Sequence, residues 1–312
     1  MANQETKKLD EIISSRRAMM TMGGAALAGL LLTGVAKAQA ALTDNDILNF
    51  ALNLEYLEAQ FYNLAAFGVT IDKLPTPIPV AVNGGTAGTV TLKPSFAKVP
   101  FSNPTISDYA METAIEEGKH VTFLQGALGT AAVSMPNIDL YNSFNALAMA
   151  AGIGSAFDPF DKDADFLIGA YIFEDVGVTA YHGAAASITS GTVLSAAAGI
   201  LAVEAYHAGL IRTSINQLDA GSGMLAGLTQ KISATRSKLA NPSGTPVDDI
   251  GLTTVNVSLN GSANLPATTF VDADANSVAF ARTPAQVIQI VTGGSSTNKG
   301  VFFPDGLNGT IK

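Results

Sequence analysis

Two short spacings alternate along this chain, and no other feature of the sequence constrains its fold as strongly. A glutamate stands seven residues before a tyrosine, then a glutamate stands three residues before a histidine, and the same order returns in the second half. The four occurrences are Glu55 with Tyr62, Glu117 with His120, Glu174 with Tyr181, and Glu204 with His207. Residues three, four or seven positions apart share one face of an α-helix. The pattern therefore predicts four helices, built as a duplicated helical pair, each with its motif residues on one side.

Apolar residues at helical spacing extend each motif into an amphipathic helix. Capping residues set the expected starts, with Thr43 or Asp44 for the first helix and Ser107 or Asp108 for the second. The expected helices cover about residues 44–68, 105–128, 141–151, 163–186, 192–218, 224–239 and 284–291. In the second of them, Glu117 falls in line with apolar residues. Burying a lone carboxylate is costly unless it is paired or bound to a metal, so this glutamate is expected to have a partner.

Residues 1–40 are interpreted as an export signal. The pair Arg16-Arg17 precedes an uncharged stretch from Ala18 to Val35, and small residues at Ala38 and Ala40 offer a cleavage site. The arginine pair is similar to that of twin-arginine signals. The uncharged stretch is short and interrupted by glycines, so we expect no stable membrane span after signal removal. The protein is expected to be periplasmic or secreted.

The rest of the chain is expected to divide into a helical bundle at residues 41–240 and a loop-rich extension at residues 241–312. Prolines concentrate in residues 69–104, and the turn residues Asn83-Gly84-Gly85 lie there between two short apolar runs. This arrangement predicts a β-hairpin inserted between the first two helices. The extension has few large apolar residues of its own, so we expect it to pack on the bundle.

The scarcity of metal-binding side chains narrows the chemistry. The chain has no cysteine and three histidines, so any metal must be held by oxygen and imidazole. Two Glu-x-x-His motifs and two further glutamates on facing helices are the set with which four-helix bundles hold two iron or manganese ions. Such a centre leaves positions open for dioxygen or peroxide. Besides a glutamate of the first helix, the expected ligands are Glu117, His120, Glu174, Glu204 and His207.

The ligand from the first helix is open between Glu55 and Glu58. If the apolar face is centred on Leu54, Leu57 and Phe61, Glu58 lies roughly 70° from its centre and Glu55 roughly 130°. Periodicity therefore favours Glu58, whereas the duplicated pattern favours Glu55. We expect Glu55 to be the ligand and Glu58 to be a second or alternate one.

Four neighbouring residues are expected to support the ligands rather than to bind the metal, namely Tyr62, Asp175, Tyr181 and His182. The tyrosines are expected as hydrogen-bonded core residues or as redox partners of the centre. Asp175 is expected to orient a histidine. His182 is one residue out of the metal-facing register, and it fits either the edge of the site or a hydrogen-bonded helix interface. Glu112 and Glu116 are expected to face solvent.

Several of these motifs resemble those of the ferritin-like superfamily. Asn53-Leu54-Glu55 with Tyr62, and Glu116-Glu117-Gly118-Lys119-His120, are similar to the first two ferritin helices. Residues 54–62, 173–182 and 302–309 resemble segments of exported desiccation-related ferritin-like proteins. The resemblance implies a mainly α fold, a ferritin-like four-helix bundle that can hold a dinuclear centre. It implies less about the reaction, because the proteins that the sequence resembles are named for an association with stress and not for an activity.

Two functions fit the sequence. The first is a dinuclear iron or manganese oxidoreductase, linked to stress or desiccation, that oxidises Fe(II) or removes peroxide. The alternative is a non-catalytic structural or binding protein associated with stress, with an unused metal site. The net charge of −9 argues against a nucleic-acid partner, because no excess of Lys and Arg is present to neutralise phosphates. Oligomer formation is compatible with either function.

Overall fold

A computed structural model describes residues 42–243, 247–257 and 265–312 of the chain. The predicted export signal, residues 1–40, lies outside these ranges. Residues 42–312 form one compact unit.

The described ranges contain seven α-helices and four short strands. The helices are α1 (Asp44–Phe67), α2 (Pro104–Leu128), α3 (Asn142–Ala150), α4 (Asp163–Ala185), α5 (Gly191–Asp219), α6 (Met224–Ala240) and α7 (Pro284–Val291). The strands are β1 (Val90–Thr91), β2 (Ile138–Asp139), β3 (Thr253–Val257) and β4 (Leu265–Thr269). The predicted helical fold is confirmed, and each expected helix is present within a few residues of its expected ends.

Side-chain caps fix the starts of the bundle helices. Thr43 and Asp46 form a capping box at α1, and Ser190 caps α5 through the backbone N–H of Val193. Helix α2 begins earlier than expected, because Asn103 accepts hydrogen bonds from the second and third backbone N–H groups and Pro104 occupies the first helical position. This earlier start leaves Glu117 and His120 near the middle of a long helix.

Two helical pairs make up the bundle. Helix α1 packs along α2, helix α4 packs along α5, and the pairs meet through α1 with α4 and α2 with α5. Asn49 bonds to Ala131, and Asn63 bonds to Ala114, so α1 and α2 run antiparallel. The apolar core between α1 and α4 contains stacked and edge-on aromatic rings around Phe61. These packed faces hold the middle of each helix in a fixed register.

The insertion at residues 69–104 is not the predicted hairpin. Strand β1 pairs in parallel with β2, and the backbone of Val80 accepts a hydrogen bond from Met135. Both arms of the expected hairpin therefore bond to residues 133–140 and not to each other. Gly88 explains the difference, since a Cβ there would lie 2.2 Å from the backbone carbon of Pro136. The close approach that glycine permits lets the insertion lie flat on this segment.

The described part of the C-terminal extension contacts the bundle along its length. Helix α7 packs on α6, and Phe302 and Phe303 are buried in the main core. Asn308 exchanges hydrogen bonds with Asn53 of α1. The extension thus covers the α4 and α6 side of the bundle and leaves the motif faces pointing inward.

Helix α5 is unusually apolar for a helix that carries buried ionisable side chains. It is long and apolar enough to span a membrane, with a mean hydropathy of 1.4 over its most apolar stretch. Its buried face nevertheless carries Glu204, His207 and Arg212. In this fold the charged side of the helix therefore faces the protein interior.

Candidate metal centre

The four motif helices bring their glutamates and histidines together in the interior of the bundle. Seven side chains meet there, and none is more than 8% exposed: Glu55, Glu58, Glu117, His120, Glu174, Glu204 and His207. All seven were expected as ligands from the sequence. No charged lysine or arginine contacts this cluster among the described residues. A buried group of five carboxylates without a basic residue needs another source of positive charge.

His120 marks one half of the cluster. Its Nδ1 lies 3.2 Å from Glu55 Oε2, 3.5 Å from Glu117 Oε2 and 3.5 Å from Glu204 Oε1. One ligand atom from each of these four residues lies within 4.8 Å of the others. Three carboxylates and one imidazole around so small a space match the donor set of one divalent ion.

His207 marks the other half. Its Nδ1 lies 3.1 Å from Glu117 Oε1 and 3.4 Å from Glu174 Oε2. The two imidazole rings are 6.3 Å apart between centroids. Glu117 directs one oxygen to each histidine, so it belongs to both halves of the cluster.

Two tyrosines connect helices α1 and α4 at the cluster, each through a hydrogen bond to a glutamate of the other helix. The hydroxyl of Tyr62, on α1, donates to Glu174 on α4, and the hydroxyl of Tyr181, on α4, donates to Glu55 on α1. Each tyrosine thus orients the glutamate that belongs to the other helix. The duplicated Glu-x6-Tyr spacing thus places each tyrosine next to the glutamate of the other motif.

Both candidate glutamates of α1 reach the centre. Glu55 bonds to His120 and Tyr181, while Glu58 supplies an oxygen within 4.8 Å of oxygens of Glu174 and Glu204. The duplicated pattern and the helical periodicity therefore each identified a residue of the cluster. Glu58 has no counterpart in the duplicated motif and adds a fifth carboxylate.

The polar atoms of the cluster fit a group that the protein chain does not itself supply. Buried polar atoms normally have hydrogen-bond partners. Seven atoms here have none with acceptable geometry: Glu58 Oε2, Glu117 Oε1, Glu117 Oε2, Glu174 Oε2, Glu204 Oε1, Glu204 Oε2 and His207 Nδ1. Oxygen and imidazole donors that converge without hydrogen bonds suit hard or borderline divalent cations.

The pKa values of the clustered side chains also indicate that the cluster needs positive charge. Burial, and then the neighbouring carboxylates, raise the pKa of Glu58 and of Glu204 well above the ordinary value. Burial also raises the pKa of Glu55 to about 7. Burial would lower the pKa of His207, but Glu174 beside it raises that pKa to about 12. Protons therefore neutralise the cluster when no cation does so, and an entering cation would displace them.

A glycine makes room for one of the carboxylates of the cluster. A Cβ built on Gly177 of α4 would lie 2.1 Å from Glu204 Oε2, which projects from α5. Only a residue without a side chain allows the Glu204 carboxylate to take this position. The approach of α4 to α5 at this point thus depends on Gly177.

Asp175 and His182 lie away from the centre, so the expected role of Asp175 in orienting a histidine is wrong, while His182 takes the second of its two expected positions, hydrogen-bonded outside the site. Asp175 accepts hydrogen bonds from Arg212 and Arg236 and contacts no histidine. His182 donates from Nδ1 to the carbonyl of Phe280 in the extension. Asp175 follows Glu174 and His182 follows Tyr181 along the helix, and a step of about 100° turns each to another face of α4.

Glu116 was expected to face solvent, but it contacts the cluster. Its Oε2 lies 2.8 Å from His207 Nε2, across the α2 and α5 interface. Periodicity within α2 could not reveal this contact, because the partner lies on another helix. The adjacent glutamates in Glu116-Glu117 are the only signal of it in the sequence.

Known proteins share this part of the chain. Residues 43–217 match the family of ferritin-like domains. The chain is 31% identical to a desiccation-related protein of Craterostigma plantagineum over 255 residues, which cover 79% of this chain and 76% of that protein. It is 25% identical to a ferritin-like catalase of Nesocodon mauritianus over 276 residues, which cover 86% of this chain and 84% of that protein. No solved structure matches the chain. The family match spans all seven residues of the cluster.

Proposed function

Since the chain belongs to the ferritin-like family, we propose that it is a dinuclear manganese or iron protein that decomposes hydrogen peroxide. One observation carries the proposal, namely the seven polar atoms that converge in the bundle interior without hydrogen-bond partners. The similarity to a ferritin-like catalase supports peroxide as the substrate.

The charge balance supports two ions rather than one. The cluster holds five glutamates, which carry five negative charges when ionised. Two divalent cations supply four positive charges, which balance the four glutamates other than Glu58, the residue to which this proposal assigns a proton. A single divalent ion would leave two buried negative charges without compensation, which is energetically costly. Glu117 directs one oxygen toward each histidine, so it would help to hold an ion at both ends of the cluster.

The proposed reaction converts two molecules of hydrogen peroxide into two of water and one of dioxygen. Two redox-active ions, when bound, supply two electrons to one peroxide and regain them from the other. Tyr62 and Tyr181 hold the carboxylates of Glu174 and Glu55 in place through hydrogen bonds. The surrounding apolar core limits the access of water to the interior.

Glu58 has a distinct part in this proposal. Reduction of peroxide to water consumes protons, which a carboxyl group near the substrate can deliver. Glu58 Oε2 is buried within the cluster and has no hydrogen-bond partner among the described residues. Burial, and then Glu204, raise the pKa of Glu58 well above its ordinary value, which favours the protonated carboxyl group. We assign Glu58 the role of holding and returning this proton.

The test measures metal content and gas exchange in the same sample. The full chain is purified after growth with manganese or with iron, and its metal is quantified by mass spectrometry. The expected result is two ions per chain and dioxygen release when peroxide is added. The Glu117→Gln variant should lose both, whereas Glu112→Gln on the exposed side of α2 should keep both. Dioxygen uptake with Fe(II) and no release from peroxide would replace this proposal by an oxidase.

A non-catalytic role is the second candidate. It is favoured by the similarity to a desiccation-related protein, whose name states no reaction. A folded protein that takes up no metal from either medium, or that binds two ions without turnover, would support it. Survival of dried cells with and without the protein would then be the relevant measurement.

We also propose that the protein is exported by the twin-arginine route. The proposal rests on Arg16-Arg17 and the uncharged stretch that follows. Changing both arginines to lysine should retain the protein in the cytoplasm of a host that has this pathway, as judged by cell fractionation. Unchanged export of that variant would overturn the proposal.

A further inference from the structure

The two histidines of the centre differ in the contact that each imidazole makes on the side facing away from the cluster. On the outer side of His207, Glu116 Oε2 is 2.8 Å from Nε2, while Nδ1 faces the cluster. The side chain of Glu116 is 35% exposed, whereas that of His207 is 2% exposed. The carboxylate therefore closes the centre at this end and contacts the imidazole from outside.

His120 has no such contact among the described residues. In the duplicated motif, the residue before Glu117 corresponds to the residue before Glu204, and that residue is Val203. A valine cannot accept a hydrogen bond from an imidazole. The side chain of His120 is also more exposed than that of His207, at 10% against 2%. The two ends of an otherwise duplicated centre are thus unequal.

The contact with Glu116 has a defined effect on His207. A carboxylate that accepts a hydrogen bond from Nε2–H fixes the tautomer in which the Nδ1 lone pair is free. It also holds the ring plane and makes Nδ1 a stronger donor. Losing such an outer partner typically weakens metal binding by about 10- to 100-fold.

We infer that the two metal positions have different affinities, and that Glu116 makes the position at His207 the tighter one. This inference rests on the proposed dinuclear centre. Glu116 acts here through His207 and is a positioning residue. The position at His207 fills first as the metal concentration rises, and the position at His120 fills second.

The test is a manganese(II) titration of the full chain without oxygen, followed by calorimetry and by the spin-resonance signal of free manganese. The unaltered protein should bind two ions with dissociation constants at least about tenfold apart. Glu116→Ala should weaken the tighter step by about tenfold and leave the weaker step unchanged. Glu116→Gln keeps a hydrogen-bond acceptor and should restore part of the affinity. Glu112→Gln on the same helix should change neither step.

Single-site backgrounds assign the effect to one end of the centre. Glu116→Ala should weaken the remaining site in a His120→Gln protein and have no effect in a His207→Gln protein. Val203→Glu should strengthen the weaker step, because it places a carboxylate at the corresponding position behind His120. Two equal steps that Glu116→Ala does not alter would overturn the inference and leave the dinuclear centre intact. Absence of manganese binding by the unaltered protein would instead overturn the proposed function.

Discussion

Gly177 shows how one residue without a side chain can make room for a buried carboxylate. Glycine in the interior of a helix ordinarily destabilises it by about 1 kcal/mol relative to alanine. Here the missing Cβ leaves space for Glu204 Oε2, which would otherwise be 2.1 Å away. The atom in conflict is the end of a flexible side chain, so an added methyl group would displace the carboxylate rather than the backbone.

We therefore expect Gly177→Ala to lose metal affinity without losing the fold. The displaced Glu204 would no longer face the centre, while the helix itself gains the better helix former. Gly199 of α5 is the matched control, because a Cβ there meets nothing within 4 Å. Gly199→Ala should bind metal normally and raise the free energy of unfolding by up to about 1 kcal/mol. Metal content and urea denaturation measure the two effects, and normal metal content in Gly177→Ala would contradict this account.

At the scale of single residues, the sequence predicted which side chains meet in the interior cluster, and it described their neighbours less well. The motif spacing identified both histidines and their glutamates, since residues on one helix face can be counted along the chain. Asp175 was expected to orient a histidine, but helical rotation turns it to another face of α4. His182 was left open between the edge of the site and a hydrogen-bonded interface, and it bonds outside the site. Glu116 was missed because its partner belongs to another helix, and contacts between helices depend on packing that spacing alone does not describe.

At the scale of elements, a buried ionic cluster fastens the extension to the bundle. Arg282 of the extension bonds to Asp248 and Asp249, and Arg236 of α6 bonds to Asp249 and to Asp175 of α4. The backbone of Arg282 lies against Gly183 of α4, where a Cβ would be 2.0 Å from its carbonyl oxygen. The cluster thus connects α4, α6 and the extension through alternating charges.

Arg282→Met should destabilise the fold by about 3 to 5 kcal/mol, because it leaves buried carboxylates short of a positive partner. Methionine keeps much of the side-chain length, so the loss reports on charge more than on volume. Lys299→Met removes a positive charge from an exposed site in the same extension and should change stability little. Urea denaturation measures both variants. Equal stability of the two would show that the cluster does not hold the extension.

Asp272 adds a pH dependence to this cluster. Burial, and then Asp175 and Asp249, raise the pKa of Asp272 from 3.8 to about 8. The folded state therefore keeps a proton that the unfolded chain releases, and the free energy of unfolding falls as pH rises between these values. Asp272→Asn cannot ionise, so its stability relative to the unaltered protein should increase from pH 5 to pH 9. Denaturation at several pH values measures this trend.

An exposed aspartate provides the contrast for Asp272. Backbone hydrogen bonds from Val278 and Asn276 lower the pKa of Asp274, so it is already ionised in both states above pH 5. Asp274→Asn should therefore add no pH dependence between pH 5 and pH 9. A parallel pH trend in the two variants would contradict the assignment of the effect to Asp272.

The elements themselves were predictable to different extents. The helices have long periodic patterns and clear capping residues, and these act within a few residues of each other in the chain. The hairpin was wrong because strand pairing depends on what else is available to bond, and residues 133–140 outcompeted the local partner. Gly88 could have been taken as a sign of a close backbone approach, but its partner was not visible in the sequence.

At the scale of the whole molecule, the bundle folds around charges that oppose folding. Five carboxylates are buried on four helices that come from both halves of the chain. Protons or cations must neutralise them before the helices can pack. Folding, protonation and metal binding are therefore linked. The pKa shifts determine whether stability rises or falls with pH.

We expect metal to stabilise the fold more strongly as pH rises. Without metal, burial raises the pKa of Glu55 to about 7, and Glu174 raises that of His207 to about 12 against the opposing effect of burial, so the folded state holds more protons than the unfolded chain. Its stability therefore falls as pH rises above the ordinary values of these groups. Metal ligands must lose their protons, so metal affinity rises over the same range. The difference in Tm between manganese-loaded and chelated protein should widen from pH 5.5 to pH 8.5. Glu117→Gln should show little difference at any pH, and a constant difference in the unaltered protein would mean that protons and cations do not compete for this centre.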